Sequence, residues 1–425
     1  MRRRNNNIFK GVDWILIIFF MVFVFLGWLS IYAATYTEGQ ILDFNLATPY
    51  GKQAFFIGFS LLLIFLILLI DRQFYEKYSG VFYMISMLSL VGLFIFGKNI
   101  NGASSWYSFG NFSLQPSEFA KVATALALAN FLSERGIDLK KLPVQMRAFG
   151  IIFLPALLIT LQPDPGSALV YIFLFLVLYR FGLPQYYLII GFMAIILFIL
   201  TLYVGYLYTI LVTFVLISAF FLYIYKYNRL VFRRNWMGLI MIYIVSGLFI
   251  FSVDYIYNNV FEQRHRDRFD ILLGKKTDSK GIGYNTSQSI MTIASGGFAG
   301  KGYLQGDRTQ GDFVPEQQTD YIFSTIGEEW GFLGSFLVVM LFILFIIRIL
   351  YIAERQKSKF SKVYAYTVAT IFFFHFTINV GMVIGLLPTV GIPLPFFSYG
   401  GSSLWGFTLL LFILIRLDAD RIYEW

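Results

Sequence analysis

The sequence predicts an all-α, polytopic membrane protein, on three observations. Of its 425 residues, 58% are hydrophobic and 13% charged, where a soluble domain carries about a quarter charged. Apolar runs of roughly the ~20 residues needed to cross a bilayer recur from end to end. Aromatic residues reach 20%, with 49 Phe and 28 Tyr, which suits lipid-facing surface and interfacial belts.

In chain order, the expected spans are about 12–33, 53–70, 79–97, 119–134, 149–162, 166–182, 185–203, 206–225, 236–256, 321–350, 363–387 and 402–417. The first follows a basic MRRRNNNIFK. It is too long and lacks the cleavage site of a removed signal peptide, so it reads as a first span with a cytoplasmic N-terminus. Twelve spans return the C-terminus to the same side. About two thirds of the 33 basic residues then fall in cytoplasmic segments, including Lys140 and Lys141, Arg233 and Arg234, and Lys357, Lys359 and Lys362. Most of the rest lie in one long outer loop, which the positive-inside rule exempts. The net charge of +9 is therefore an orientation signal, not a nucleic-acid footprint.

The chain reads as one integral membrane domain over 1–425, with an outer loop at roughly 257–320. Two further irregular outer segments are 98–118 and 388–403, the latter PTVGIPLPFFSYGGSS. Irregular backbone at membrane depth survives only when buried in protein or lining a wet cavity, so three such segments on one face predict an outward-facing site. No internal repeat is evident, which weakens an inverted-repeat transporter. Cysteine is absent, and His265 and His375 are the only histidines. Disulfides, thiolate metal sites and His-built catalytic triads are thereby disfavoured.

The chemistry rests on a few polar residues. Asp320 stands where the long loop, PEQQTDYIF, re-enters the bilayer, and a carboxylate there is a functional hypothesis by default. Glu118 and Lys121, three apart at the helix start QPSEFAK, share a helical face. They form either a self-neutralising ion pair or a charged cavity wall. Asp164 in LQPDPGSA either caps the helix that follows or supplies a second cavity carboxylate. Trp106 is an interfacial anchor, or else a sugar-stacking surface or a wedge between helices. Arg264, Arg266 and Arg268, beside His265, form a cationic patch. Such a patch suits either a solvated or lipid-facing loop or a phosphate, whose geometry the guanidinium fork matches. Glu328 and Glu329 read as support for Asp320. His375 reads as a satisfied helix–helix contact. The SGG and GKG triplets lack P-loop spacing and lie on the wrong side of the membrane for ATP.

Together these residues resemble the SEDS family (shape, elongation, division and sporulation) of peptidoglycan glycosyltransferases. Five motifs carry the resemblance, in the family's order: NGASSW with QPSEFAK at 102–121, QPDPGS at 162–167, GYNTSQS with SGGFAGKG at 283–302, PEQQTDYIF with GEEWGFLG at 315–334, and the run from Asn379 to Ser403. Val390 stands where division members carry Lys, which places the chain nearer the elongation branch.

The resemblance implies polymerisation of lipid II into glycan strands on the outer face of the bacterial inner membrane. The partners would be a class B penicillin-binding protein, the elongation machinery and membrane lipid. Asp320 falls on the family's essential Asp, the general base of an inverting glycosyl transfer. Glu118, Lys121, Asp164 and Trp106 fall on cavity residues. Lys121 and Arg264, Arg266 and Arg268 are candidates to stabilise the leaving pyrophosphate. A divalent cation, Mg or Mn, would serve the same end, though no dedicated metal cage is legible.

Three departures stand out. Ser105 replaces the usual Arg before Trp106, and GDRTQGD at 306–312 replaces a Gly-Thr-Gln-Ser-Gln run. The hairpin 206–256 adds two spans to the family's ten. The competing readings are a lipid-linked precursor flippase, which needs charge on both faces of an alternating cavity, and a non-catalytic scaffold, against which the retained Asp320, Glu118 and Lys121 argue.

Overall fold

The computed structural model describes residues 11–36, 45–100, 103–110, 112–227, 229–261, 263–275 and 282–421. Arg2, Arg3, Arg4 and Lys10 of the basic N-terminus lie outside these residues, as do Asn101 and Gly102 of the first motif and the side chains of Arg233, Arg234, Arg264 and His265. The chain divides into two compact units, 1–183 with 284–425, and 184–283.

In the first unit, α1 (Trp14–Ala34) starts at Asp13, whose carboxylate accepts from the Leu16 N–H at 3.2 Å. This satisfies one of the donors a helix start leaves open. Thr48 does the same for α2 (Pro49–Leu69), with Pro49 in the first turn, where its missing N–H costs nothing. After α3 (Arg72–Phe96), the segment expected as loop folds into three short antiparallel strands, β1 (Lys98–Ile100), β2 (Ala103–Phe109) and β3 (Phe112–Leu114), in that order. Lys98 pairs with Trp106, and Tyr107 with Leu114. Then come α4 (Pro116–Ser133), α5 (Leu142–Thr160), α6 (Pro165–Ile172) and α7 (Phe175–Arg180).

The second unit carries α8 (Tyr186–Val204), then α9 (Tyr206–Tyr227) and α10 (Arg229–Tyr255) at the position of the expected hairpin, a π turn over Ile256–Val260 and α11 (Gln263–Leu272). Tyr243 of α10 packs against Phe214 and Phe221 of α9, and its hydroxyl lies 2.7 Å from that of Ser218.

The chain then returns to the first unit through α12 (Ile282–Ser295), α13 (Asp307–Gln310), α14 (Ile322–Glu329), α15 (Gly331–Arg355), α16 (Lys359–Val383) and α17 (Gly401–Asp420).

Among the described residues, ten helices are long and apolar enough to cross a bilayer: α1, α2, α3, α5, α8, α9, Trp236–Val260, α15, α16 and α17. The other two expected passages are α4, made more polar by Glu118 and Lys121, and the broken stretch Pro165–Arg180. The protein is thus a multi-pass, helical membrane protein. Besides the strands at 98–114, two further expectations change. The span expected at 321–350 is two helices, interrupted at Trp330 and Gly331, where Gly331 takes a left-handed φ of 63°. The loop expected at 257–320 contains, among its described residues, the helices α11, α12 and α13.

The core of the first unit lies along α4, α16 and α17. In the most apolar stretches of α16 and α17, 72% and 78% of residues are buried. α4 presents an alanine-rich run, Ala123 to Ala129, that lets neighbouring backbones approach. Phe23 stacks on Phe342 at 4.4 Å, and Phe20 meets Phe396 and Phe412 edge-on at 5.2 and 5.1 Å. These are favoured geometries of aromatic pairs. They lock α1 and α15 to α17 and to the irregular segment after α16.

Candidate active site

Asp320 sits in an irregular stretch, 315–321, just before the short α14. It is part-buried. Its N–H donates to the Glu316 carbonyl at 3.2 Å, and its own carbonyl accepts from Asn379 Nδ2 at 2.8 Å. The second N–H of the same amide donates to the Ile392 carbonyl at 2.7 Å. The neighbouring stretch 388–400 therefore meets the Asp320 segment directly. Two more bonds join them: the Tyr399 N–H donates to the Gln318 carbonyl at 2.9 Å, and the Tyr321 and Thr389 hydroxyls lie 3.1 Å apart. That last contact gives the hydroxyl of Tyr321 a partner.

Gly391 closes the wall beside the carboxylate. Its φ of 74° suits glycine, and a methyl group there would stand 3.3 Å from Asp320 Oδ2. On its far side the same stretch touches the start of α6. A methyl on Gly166 would fall 2.5 Å from the Val390 carbonyl and 3.3 Å from that of Gly391. Asp164 stands at that start as the cap the sequence allowed. Its carboxylate accepts from the Ser167 N–H at 3.1 Å, the Ser167 hydroxyl at 2.8 Å and Gln115 Nε2 at 3.1 Å. Gln115 precedes α4, and its N–H donates to the Ser402 hydroxyl at 3.0 Å. Asp320, Asp164 and the start of α4 thus gather around 388–402.

Glu118 and Lys121 form the ion pair their spacing permits, at 2.8 Å, and both are buried. Lys121 Nζ also lies 2.9 Å from His375 Nε2 and 5.0 Å from the centre of the Phe407 ring. His375 Nδ1 lies 3.4 Å from the Pro393 carbonyl. His375 is therefore a buried helix–helix contact, as expected, and also a link between the pair and the irregular stretch. Trp106 is part-buried on β2. That strand is tied to the turn before Asp164 by the Ser104 N–H, which donates to the Gln162 carbonyl at 3.2 Å. Arg266 and Arg268 lie on α11 in the second unit, and Arg266 donates to the Asn258 carbonyl at 3.1 Å. The side chain of Arg264 is outside the described residues.

Behind Asp320, Glu328 supports the segment. It accepts from Lys301 Nζ at 2.7 Å, the Ser295 hydroxyl at 3.0 Å, the Arg308 N–H at 3.1 Å, and both the N–H and hydroxyl of Thr309 at 2.7 Å. Burial disfavours its charged form, but these donors outweigh it and hold the carboxyl below the usual glutamate value. Its contact in turn raises Lys301. Thr309 passes the tie onward through Gln317 Nε2, at 3.2 Å, three residues before Asp320. Glu329 differs. Burial pushes it up to about 7, with the Leu304 N–H opposing and the Glu328 charge adding. Among the described residues no group of three or more metal-ligating side chains occurs.

Sequence reasoning marked Asp320, Asp164, Glu118 and Lys121 but missed Asn379, Gln317 and Thr309. An Asn one helical turn after a His in an otherwise apolar span was the available signal for Asn379.

A model of the FtsW, RodA and SpoVE family, described as cell cycle proteins, matches residues 13–423. The peptidoglycan glycosyltransferase RodA of Treponema pallidum (strain Nichols) is 31% identical over 440 residues, covering 96% of this chain and 98% of that one. The peptidoglycan glycosyltransferase MrdB of Escherichia coli (strain K12) is 34% identical over 350 residues, covering 82% and 80%. A solved chain from work on polymerization and crosslinking by a peptidoglycan synthase complex superposes with a TM-score of 0.71 at 25% identity, over 97% of this chain and 99% of that one. The chain therefore belongs to the FtsW, RodA and SpoVE family of cell cycle proteins, on its RodA-like side.

Proposed function

We propose that this protein is a peptidoglycan glycosyltransferase that polymerises lipid II, with Asp320 as general base. Membership of the family along nearly the whole chain supports the class of reaction. The observation that carries the site is the convergence of Asp320, Asp164 and the Glu118–Lys121 helix on one irregular stretch, 388–400, and the first turn of α17 that follows it. In this reading the Asp320 carboxylate takes the proton from the 4-hydroxyl of the acceptor GlcNAc. The freed oxygen attacks the anomeric carbon of the donor sugar, and the bond to the lipid pyrophosphate breaks with inversion. A positioned base of this kind contributes ~10²–10⁴-fold.

Asp164, Glu118, Lys121 and Trp106 are proposed to shape the sugar cavity. Lys121 and the patch of Arg264, Arg266 and Arg268 are proposed to offset charge on the departing pyrophosphate. The positive-inside pattern supports a site on the outer face of the inner membrane, with both termini cytoplasmic. The likeness to a synthase complex supports a class B penicillin-binding protein as partner.

A flippase would need a path that opens to both sides. At the end of the first unit opposite Asp320, Asp13 binds Arg348 at 2.6 Å and Arg355 at 2.9 Å, and Arg355 also binds Asp418. Both carboxylates are buried. This closed network favours the enzyme.

The test is polymerisation of labelled lipid II by the purified protein. Asp320→Asn should lower the rate at least ~100-fold while leaving the protein folded. Long strands made at the normal rate would refute the assignment. Inhibition of the wild-type activity by moenomycin would point to a contaminating polymerase.

A further inference from the structure

We infer that Asn379 is a positioning residue for the Asp320 carboxylate, an inference that rests on the general-base reading above. Asn379 lies inside α16, fully buried, and both N–H groups of its amide are spent on backbone carbonyls of two different segments. One is the carbonyl of Asp320 itself. The other is that of Ile392, next to Gly391, whose bare α-carbon faces Asp320 Oδ2. Neither segment belongs to a regular helix or strand at these points, so no continuous hydrogen-bond ladder sets the distance between them. Apart from the Tyr399–Gln318 and Tyr321–Thr389 bonds further along, the rigid, planar amide of Asn379 ties them together, and it does so at Asp320 itself.

The chemistry of the donor matters. Asn379 is neutral, and the two bonds it makes go to main-chain oxygen rather than to the carboxylate. A donor on the carboxylate itself would stabilise its charged form and weaken it as a base. A donor on the backbone orients the base without that cost. Four residues earlier on the same helix face, His375 reaches the next carbonyl, that of Pro393, and on its other side Lys121. The face of α16 thus carries a polar ladder that sets 391–393 against both Asp320 and the Glu118–Lys121 pair. Within that ladder it is Asn379 that donates to the Asp320 carbonyl.

The test uses the full-length protein and lipid II. In Asn379→Leu, which keeps the branching of the side chain, though it is bulkier, and donates nothing, kcat should fall ten- to a hundredfold while KM for lipid II stays within about threefold, since binding groups are untouched. In an Asp320→Glu background, where the base is already displaced, the same change should cost less than threefold, because residues that act through one another are non-additive. If Asn379→Leu does not yield folded protein, Asn379→Ser, which keeps one donor, is read the same way. A folded variant with kcat within threefold of wild type, or a loss confined to KM, overturns the inference while Asp320→Asn remains inactive. If Asp320→Asn itself polymerises lipid II, the general-base reading fails instead.

Discussion

The position of one carboxylate depends on residues that never touch it by charge. Gly391 is the clearest case. Its left-handed φ of 74° is strained for any other residue, and a methyl group would press toward Asp320 Oδ2 from 3.3 Å. Gly391→Ala should therefore cost about 1–3 kcal/mol of strain and lower polymerisation further than that instability explains. The activity per folded molecule, measured beside the thermal midpoint, checks this. Asp164 shows the converse, because its role as a helix cap was legible from Pro165 and Ser167 alone. The cap bonds do not exclude the cavity role proposed for it, since Gln115 already reaches the same carboxylate from α4.

At the scale of elements, the break between α14 and α15 is what lets a loop carboxylate be held from behind. Residues 295–302 lie directly against 327–331. A methyl on Gly300 would fall 2.2 Å from the Glu329 carbonyl, and one on Gly296 2.1 Å from that of Gly327. Only glycines permit that approach, and it delivers Lys301 to Glu328. Glu329, in the same short helix, carries a titration near neutrality. A carboxyl raised from an ordinary value of 4.5 to about 7 favours the folded state fully below about pH 4.5. That contribution is lost as the pH rises through 7. Glu329→Gln, which stays neutral, should therefore gain on wild type by up to about 3 kcal/mol between pH 5 and pH 8. Thermal midpoints of the two proteins across that range measure the gap, and a constant difference would refute it.

For the molecule as a whole, the first unit is polar at both ends for different reasons. One end gathers irregular backbone around Asp320. The other gathers Asp13, Arg348, Arg355 and Asp418 in a network that joins α1, α15 and α17. Removing one partner from such a network leaves buried charge uncompensated, at a cost of about 3–5 kcal/mol. Arg355→Met should accordingly lower stability or yield by that order while the activity of the folded fraction stays near wild type. Equal loss of specific activity would show that the closed end is coupled to the site. The second unit contrasts with the first. In α8, α9 and Trp236–Val260 only 11%, 6% and 12% of the most apolar stretch is buried, so these helices turn apolar surface outward, as lipid requires.

The sequence by itself determined the class of fold, the order of the spans and the residues worth suspecting. Apolar length, charge placement and helix-start patterns are local properties, read within one or two turns. Asp320, the Glu118–Lys121 pair and the Asp164 cap all belong to that category. Only the tertiary structure decided that these residues share one end of one unit, that a predicted long span breaks at Gly331, and that 98–100, 103–109 and 112–114 pair as strands. Asn379, Gln317 and Thr309 escaped for the same reason. Their partners are backbone carbonyls, hydroxyls and the Glu328 carboxylate, set by the fold rather than by local spacing; the Asp320 carbonyl lies 59 positions from Asn379, and nothing in the local pattern of an apolar helix says which carbonyl its one amide will meet.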